Sequence, residues 1–371
     1  MIQNKAYKYR LYPTQAQANY FEKCFGCSRF IYNKFLEYKI NDYKNKTNET
    51  PKSVVFFKNQ FEWLKEVDSL VLCNAYLHYR TAYQNFFTHK QDKPTFHNKH
   101  IHNSYTTNNV SNNIKINNVT ITLPKCKNVK IVLHREIKGK IKSATISKQA
   151  NQYYVSVLCE EDIQPMPALN KEIGLDLGIK DLVITSDGEK FDNPKALRNN
   201  EKKLKRLQRE LARRKKGSKR RQQTKNKLQR QHKRITDIKN DYLHNVSKKI
   251  VSENQTIYIE DLNVAGMMKN HHLAKSVGEA SMSKFVSMLE YKCKWYGRNL
   301  VKIDRFYPSS KLCSCCGYKN NELALLVREW ECPQCHTKHD RDINASKNIL
   351  YAGAMLVNGR GDTELSVRKT L

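Results

Sequence analysis

From Asn4 to Tyr12 polar and apolar residues alternate, and Pro13 follows, which predicts a half-buried strand closed by a turn. Thr14 is placed to cap a helix in which Phe21, Phe25, Tyr32, Phe35 and Tyr38 fall near helical spacing, with Lys23, Lys34 and Lys39 on the opposite face. The Asn/Lys/Thr-rich piece 41–52 reads as a linker, after which 56–87 is helical again through Phe57, Phe61, Leu64, Leu70, Ala75, Tyr79, Tyr83 and Phe87. A polar, asparagine-rich stretch follows over 89–118. Val119-Ile121-Leu123, Val129-Ile131-Leu133 and Tyr153-Val155-Val157 then return to period two, as half-buried strands do. The simplest architecture is a small antiparallel barrel or sheet made of the first strand plus about 117–160, with the helical unit inserted. Pro165 and Pro167 mark the linker out of it.

A second pattern begins at Glu172. Ile173-Gly174-Leu175-Asp176 and Leu182-Val183-Ile184-Thr185, split by Gly178 and followed by Asp187-Gly188, predict a hairpin. Residues 195–234 then hold 19 Lys/Arg against only Glu201 and Glu210. A leucine and isoleucine stripe (Leu197, Leu204, Leu207, Leu211, then Ile235 and Ile238) persists through this run, so it reads as two long basic helices over 195–250, broken at Gly217-Ser218. A solvated helical face normally mixes charge signs, and this one does not.

Across 371 residues, 67 Lys+Arg against 35 Asp+Glu leave a formal charge of +32. That excess argues against an ordinary metabolic enzyme and for a polyanionic partner, nucleic acid or anionic lipid. Membrane is the weaker choice: no apolar run approaches the roughly 18 residues a spanning helix needs, and the first residues lack a signal-peptide stretch. The expectation is a soluble intracellular chain of two or three domains.

Of eleven cysteines, Cys24, Cys27, Cys73, Cys126, Cys159 and Cys293 are scattered and read as buried small hydrophobes. Cys313 and Cys316 form one CxxC and Cys332 and Cys335 another, with fifteen residues between them, the spacing of a zinc ribbon holding one structural Zn²⁺ on four thiolates. Cys315 competes with Cys316, and His336 or His339 with Cys335. The regular two-residue gap favours the four named ligands.

Asp176 and Glu260 each stand where a short apolar strand breaks off, and Asp342 opens the helical pattern 343–350. Carboxylates so placed can converge to hold two hard cations of the Mg²⁺ type, the arrangement that activates water and stabilises the leaving oxygen in phosphodiester cleavage.

The segments IGLDLGIKD, TIYIEDL, CSCCG with CPQC, and HDRDINASKNI resemble the three RuvC motifs and zinc ribbon of the TnpB family, transposon-encoded relatives of type V CRISPR effectors. The likeness runs from NKAYKYRLYPT through SVLCE, RRKKGS and WYGR to HDRD. It implies a multidomain α/β chain: a β-barrel wedge domain (1–12 and 117–160) with a helical recognition insertion (13–116), then an RNase H-like RuvC nuclease (171–305 and 340–354). A zinc-ribbon target-binding module (306–339) interrupts the nuclease, and a flexible tail (355–371) ends the chain. It implies further an RNA-guided DNA endonuclease, with a guide RNA from the transposon end and a double-stranded target bearing a short adjacent motif. Such a protein would be cytoplasmic and nucleoid-associated when on DNA. Asp176, Glu260 and Asp342 match the catalytic acids; Asp340 is the nearest competitor, and Asp342 is favoured because it directly precedes the INASKNI helix.

The nucleic-acid contacts expected are Arg213, Arg214, Lys215, Lys216, Lys219 and Arg220 on the basic hairpin, with Ser111 and Asn112 as readers of the short motif. Two other functions are compatible with this inventory: a guided repressor that binds without cutting, which predicts a damaged acid set, and a strand-transfer transposase. A zinc-ribbon RNA-packaging protein would leave Asp176 and Glu260 unexplained.

Overall fold

The computed structural model describes residues 2–46, 52–88, 90–272, 274–324, 326–357 and 359, and its contacts divide into two units, residues 2–162 and the chain from 163 onward. The first unit runs β1 (Ile2–Tyr12), α1 (Gln15–Asn45), α2 (Val54–Gln60), a 3-10 turn (Glu62–Glu66), α3 (Ser69–Phe87), β2 (Ser104–Asn108), β3 (Lys115–Ile116), β4 (Thr120–Leu123), β5 (Cys126–Val132), β6 (Lys140–Gln149) and β7 (Gln152–Asp162). Thr14 and Gln17 cap α1 reciprocally: the Gln17 N–H donates to Thr14 Oγ1 at 3.4 Å and the Thr14 N–H to Gln17 Oε1 at 2.9 Å.

The seven strands form one antiparallel sheet in the order β2-β6-β7-β1-β5-β4-β3. Its two end strands do not pair with each other among the described residues, so the ladder is an open sheet where a barrel was expected. Strand β1 spends almost its whole length on β7, from Ile2 to Leu11, and only Arg10 to Tyr12 reach β5, so β1 joins the two halves of the ladder over a short overlap. The sheet's inward face (Tyr7, Tyr9, Leu11, Val155, Val157, Ile146) packs on Phe21 and Phe25 of α1 and Val71 and Leu72 of α3.

Three expectations shift here. Helix α1 continues to Asn45 and stops at Lys46, which takes the left-handed conformation (φ 52°), so the expected linker is shorter and its residues 47–51 lie outside the described ones. The polar stretch 89–118 supplies β2 and β3 to the sheet, so the helical part ends at Phe87 and not at residue 116. Cys73 is exposed, unlike the other five scattered cysteines, because it lies on the outward face of α3 beside buried Leu72.

The second unit runs β8 (Glu172–Asp176), β9 (Asp181–Thr185), β10 (Lys190–Asp192), α4 (Ala196–Arg213), α5 (Lys219–Glu253), β11 (Thr256–Glu260), α6 (Val264–Met267), α7 (Ala274–Ala280), α8 (Met282–Tyr296), β12 (Asn299–Ile303), β13 (Glu329–Glu331), β14 (Lys338–Asp340) and α9 (Arg341–Val357). Its main sheet has the order β10-β9-β8-β11-β12, an antiparallel meander followed by the parallel strands β8, β11 and β12. Strand β11 is buried from Thr256 to Ile259, which is why it reads as an unbroken apolar run: both faces are covered. Ile257 and Ile259 pack with Leu243, Val246 and Ile250 of α5 and Phe285 and Leu289 of α8, whereas Tyr258 packs with Ile349 of α9 on the other face. Helix α9 extends to Val357, so 355–357 are helical where a tail was expected; the rest of that tail, Gly359 apart, lies outside the described residues.

Two glycines let α9 sit close on the sheet. A Cβ on Gly353 would lie 2.0 Å from Tyr258 Cδ1, and one on Gly174 would lie 2.1 Å from the Ser346 carbonyl oxygen. Overpacking of this kind costs roughly 1–3 kcal/mol. Gly353→Ala is therefore expected to lower the melting temperature by several degrees through displacement of α9; an unchanged melting temperature would show that the helix is not held this tightly.

Candidate functional site

Asp176 ends β8 and Glu260 ends β11, so parallel pairing of these strands brings both acids to one carboxyl edge of the sheet. Asp342 approaches from the first turn of α9, which packs on β8 and β11. All three side chains are half-buried. Burial first, then the charges of Glu260 and Asp342, push the Asp176 carboxyl up to about 7, with Arg341 and Arg328 opposing. Glu260 is also raised by burial, against a hydrogen bond from Ser309 Oγ to its Oε1 at 2.5 Å. Arg328 and Arg341 thus offset the mutual repulsion of these three acids only in part. A cluster of oxygen donors in that state fits divalent hard cations.

Asp340 is placed for a different task. Its Oδ1 accepts the backbone N–H groups of Asp342 and Ile343 at 3.0 Å each, capping α9, and its Oδ2 meets Lys190 Nζ at 2.6 Å. Burial raises its pKa, but Lys190 and these N–H groups outweigh that and hold the carboxyl below its ordinary value. The geometry thus separates a capping acid from one facing Asp176.

Sequence reasoning missed the residues that support this site. Arg328 Nη1 lies 3.2 and 3.3 Å from the two carboxylate oxygens of Asp342. Asn344 and Asn348, one turn apart on α9 and buried, donate to the Leu312 carbonyl at 2.6 and 2.7 Å; Asn348 also donates to the Ser309 carbonyl at 2.8 Å. The i,i+4 asparagines inside an otherwise apolar helix were the available signal.

The four ribbon thiols Cys313, Cys316, Cys332 and Cys335 come together, with all Sγ atoms within 4.8 Å of one another. Two pairs, Cys313 with Cys335 and Cys316 with Cys332, stand 3.6 Å apart. That is far beyond a disulfide bond of about 2.05 Å. It is close to the roughly 3.8 Å edge of a tetrahedron with Zn–S bonds near 2.3 Å. The alternatives do not fall in this group: Cys315 is exposed, His336 points to Glu331 at 3.3 Å, and His339 Nε2 sits 3.0 Å from Cys313 Sγ as a hydrogen-bond partner to that sulfur. Burial pushes the Cys313 thiol up to about 12, while hydrogen bonds from Thr337 bring Cys335 down to about 6. A bound cation would hold both as thiolates.

On the basic hairpin, the apolar face of α4 is seated by Leu204 and Leu207, and two polar links stitch α4 to α5: Gln231 to Asn200 at 2.8 Å and Thr224 to Glu210 at 2.9 Å. The outer face lines an open cleft of about 830 Å³ with Lys202, Lys205, Arg206, Arg209, Glu210, Arg213 and Arg214. Four of these, Lys202 to Arg209, extend the predicted contact set. Arg213, Lys215, Lys216, Lys219 and Arg220 are exposed around the turn between the helices, while half-buried Arg214 is paired with Glu210 at 2.8 Å. Ser111 and Asn112 are the two left-handed residues (φ 51° and 60°) of an exposed turn between β2 and β3.

Among the described residues, no helix is long and apolar enough to cross a membrane. Residues 154–271 match the family described as "Probable transposase", 283–349 match "Cas12f1-like, TNB domain", and 1–48 match "Helix-turn-helix domain", although residues 2–46 form one strand and one long helix here. A protein of Streptomyces pristinaespiralis that carries the name "Putative RNA-guided DNA endonuclease" is 39% identical over 359 residues, covering 94% of this chain and 89% of its own. InsQ of Escherichia coli K12, named likewise, is 29% identical over 94% of this chain and 92% of its own. The TnpB-like protein L79 of Acanthamoeba polyphaga mimivirus is 26% identical over 52% of this chain and 39% of its own.

Proposed function

The chain belongs to the TnpB family of RNA-guided DNA endonucleases, and we propose on that ground that it cuts double-stranded DNA beside a short motif, at sites chosen by a transposon-derived guide RNA. The observation that supports the cutting step is that Asp176 and Glu260 end neighbouring parallel strands, and that the charges of Glu260 and Asp342 add to burial in raising Asp176 to about 7. A meander followed by parallel strands, with the third acid on a helix across the sheet, supports the reading of this unit as an RNase H-like RuvC core.

Asp176, Glu260 and Asp342 would hold two Mg²⁺ ions, which when bound supply an activated water and charge neutralisation at the leaving oxygen. Ser309 fixes one oxygen of Glu260 and leaves the other for a ligand. Arg328 pairs with Asp342 and would be within reach of a phosphate held at the same site. The ribbon cysteines would hold one structural Zn²⁺. A guided repressor would have no use for an intact acid set, and all three acids are present here.

The basic cleft on α4 and the hairpin turn would grip nucleic-acid backbone without reading sequence, while Ser111 and Asn112 would contribute to the short motif. Replacing Arg213, Arg214, Lys215 and Lys216 together by alanine is expected to weaken binding and reduce the slope of log affinity against log salt by about 3–4, near one for each lost phosphate contact. An unchanged slope would return the hairpin to a merely solvated surface. The test of the function itself is to co-express the chain with its flanking DNA, purify it, and sequence the RNA it carries. A discrete species ending in variable sequence is expected, and a random RNA population would overturn the guided reading.

A further inference from the structure

We propose that Phe306 is a stacking platform for an unpaired nucleobase of the DNA strand presented to the three acids, an inference that rests on the nuclease reading above. The ring is 85% exposed, whereas its neighbour Tyr307 packs on Tyr258, Ile303 and Ile349. Burying a phenylalanine ring favours folding, and the fold forgoes that gain here.

A loose loop does not account for the exposure. The Phe306 N–H donates to Asp304 Oδ1 at 2.7 Å, and Arg305 donates through Nε and Nη2 to the Asp261 carbonyl and carboxylate at 2.9 and 2.7 Å. Three residues after Phe306, Ser309 holds Glu260. Side chains on both sides of the ring, Arg305 and Ser309, are therefore bonded to Asp261 and Glu260 at the end of β11.

Its position in the sheet points to the ligand. Ile303, the last residue of β12, is the register partner of Glu260, so the Phe306 loop leaves the same carboxyl edge where β8 ends in Asp176 and β11 in Glu260. Ligands of open α/β sheets bind outside that edge. A phosphodiester that reaches these acids brings its flanking base with it. Every base offers a π face, so an aromatic platform positions the strand without reading its sequence, as suits a protein whose sequence choice is delegated to RNA.

Single-stranded DNA carrying 2-aminopurine at successive positions, added to the RNA-loaded protein in EDTA, tests this directly. Quenching at one or two positions is expected in the wild type and in Phe306→Trp, and its loss in Phe306→Ala and Phe306→Leu. With Mg²⁺ restored, Phe306→Ala should cut about tenfold or more slowly at saturating target, since stacking is worth about 1–3 kcal/mol per base. Guided duplex affinity and melting temperature should stay at wild-type values. Equal quenching in Phe306→Ala and the wild type, or restoration of cutting by leucine as fully as by tryptophan, overturns the proposal. If even the wild type fails to cut, the nuclease reading falls, while the quenching still decides whether Phe306 stacks.

Discussion

Asp176→Asn is expected to abolish guided cutting, lowering it by at least three orders of magnitude, while leaving guided DNA affinity within about twofold. It removes a ligand of the proposed ions and touches no phosphate contact. The same variant carries a second, independent signature. In the metal-free protein the Asp176 carboxyl is raised from 3.8 to about 7, chiefly by burial and then by Glu260 and Asp342. The folded state therefore binds a proton more tightly than the unfolded one, and stability falls as pH rises from about 4 to about 7. Asparagine avoids that loss, so metal-free Asp176→Asn should melt above the wild type at pH 8, with the gap closing near pH 4. Mg²⁺ should narrow the gap by stabilising the wild type alone. Residual metal-dependent cutting, or a lower melting temperature at pH 8, would remove Asp176 from the centre of the site.

Cys332→Ser should have the other large effect, and through folding rather than chemistry. Zinc binding in small ribbon-like modules supplies about 10–16 kcal/mol of apparent free energy at pH 7, which is folding free energy. The core of the ribbon is small, with Leu323 and Trp330 the only buried hydrophobic residues besides two of the cysteines themselves among the described residues. Loss of one thiolate is expected to abolish stoichiometric zinc and open residues 306–339 to protease. Cutting should fail as a consequence, because Asn344 and Asn348 of α9 hold the ribbon's Leu312 carbonyl, and Asn348 holds that of Ser309 beside Glu260. Cys315→Ser, at the exposed extra cysteine, is the matched control and should behave as wild type. Full zinc content and normal protease resistance in Cys332→Ser would mean that the cage is held otherwise.

Much of this was legible in the chain because the signals are local. Period-two alternation gave β1, β4, β5 and β7; the apolar runs gave β8, β9 and β11; the leucine and isoleucine stripe gave α4 and α5, broken at Gly217 as read. The thiol spacing singled out the four cysteines that the fold gathers. What stayed hidden depends on tertiary context. Strand β6 shows lysines 140 and 142 to solvent and buries only Ala144 and Ile146, so its alternation is faint. Strand β2, with the sequence SYTTN, is drawn into the sheet by its partner β6 and not by its own composition. Open and closed sheets share one residue pattern, and only whether the end strands β2 and β3 pair decides between them.

At the acid site, Asp340 and Asp342 look alike in sequence; the capping bonds and Lys190 that occupy Asp340 exist only once β14, α9 and β10 are assembled. Arg328 and Ser309 lie 14 and 49 residues from the acids they touch, beyond the reach of any local pattern.

The most direct test of the central claim is cleavage by the purified protein with its own RNA. A plasmid carrying a match to the variable end of that RNA, beside a library of adjacent sequences, would be incubated with Mg²⁺ and its ends sequenced. Double-strand breaks are expected at a fixed distance from a single short motif, absent with EDTA and absent with Asp176→Asn. Binding without breaks in the wild type, or recovery of joined strands in place of free ends, would contradict the account.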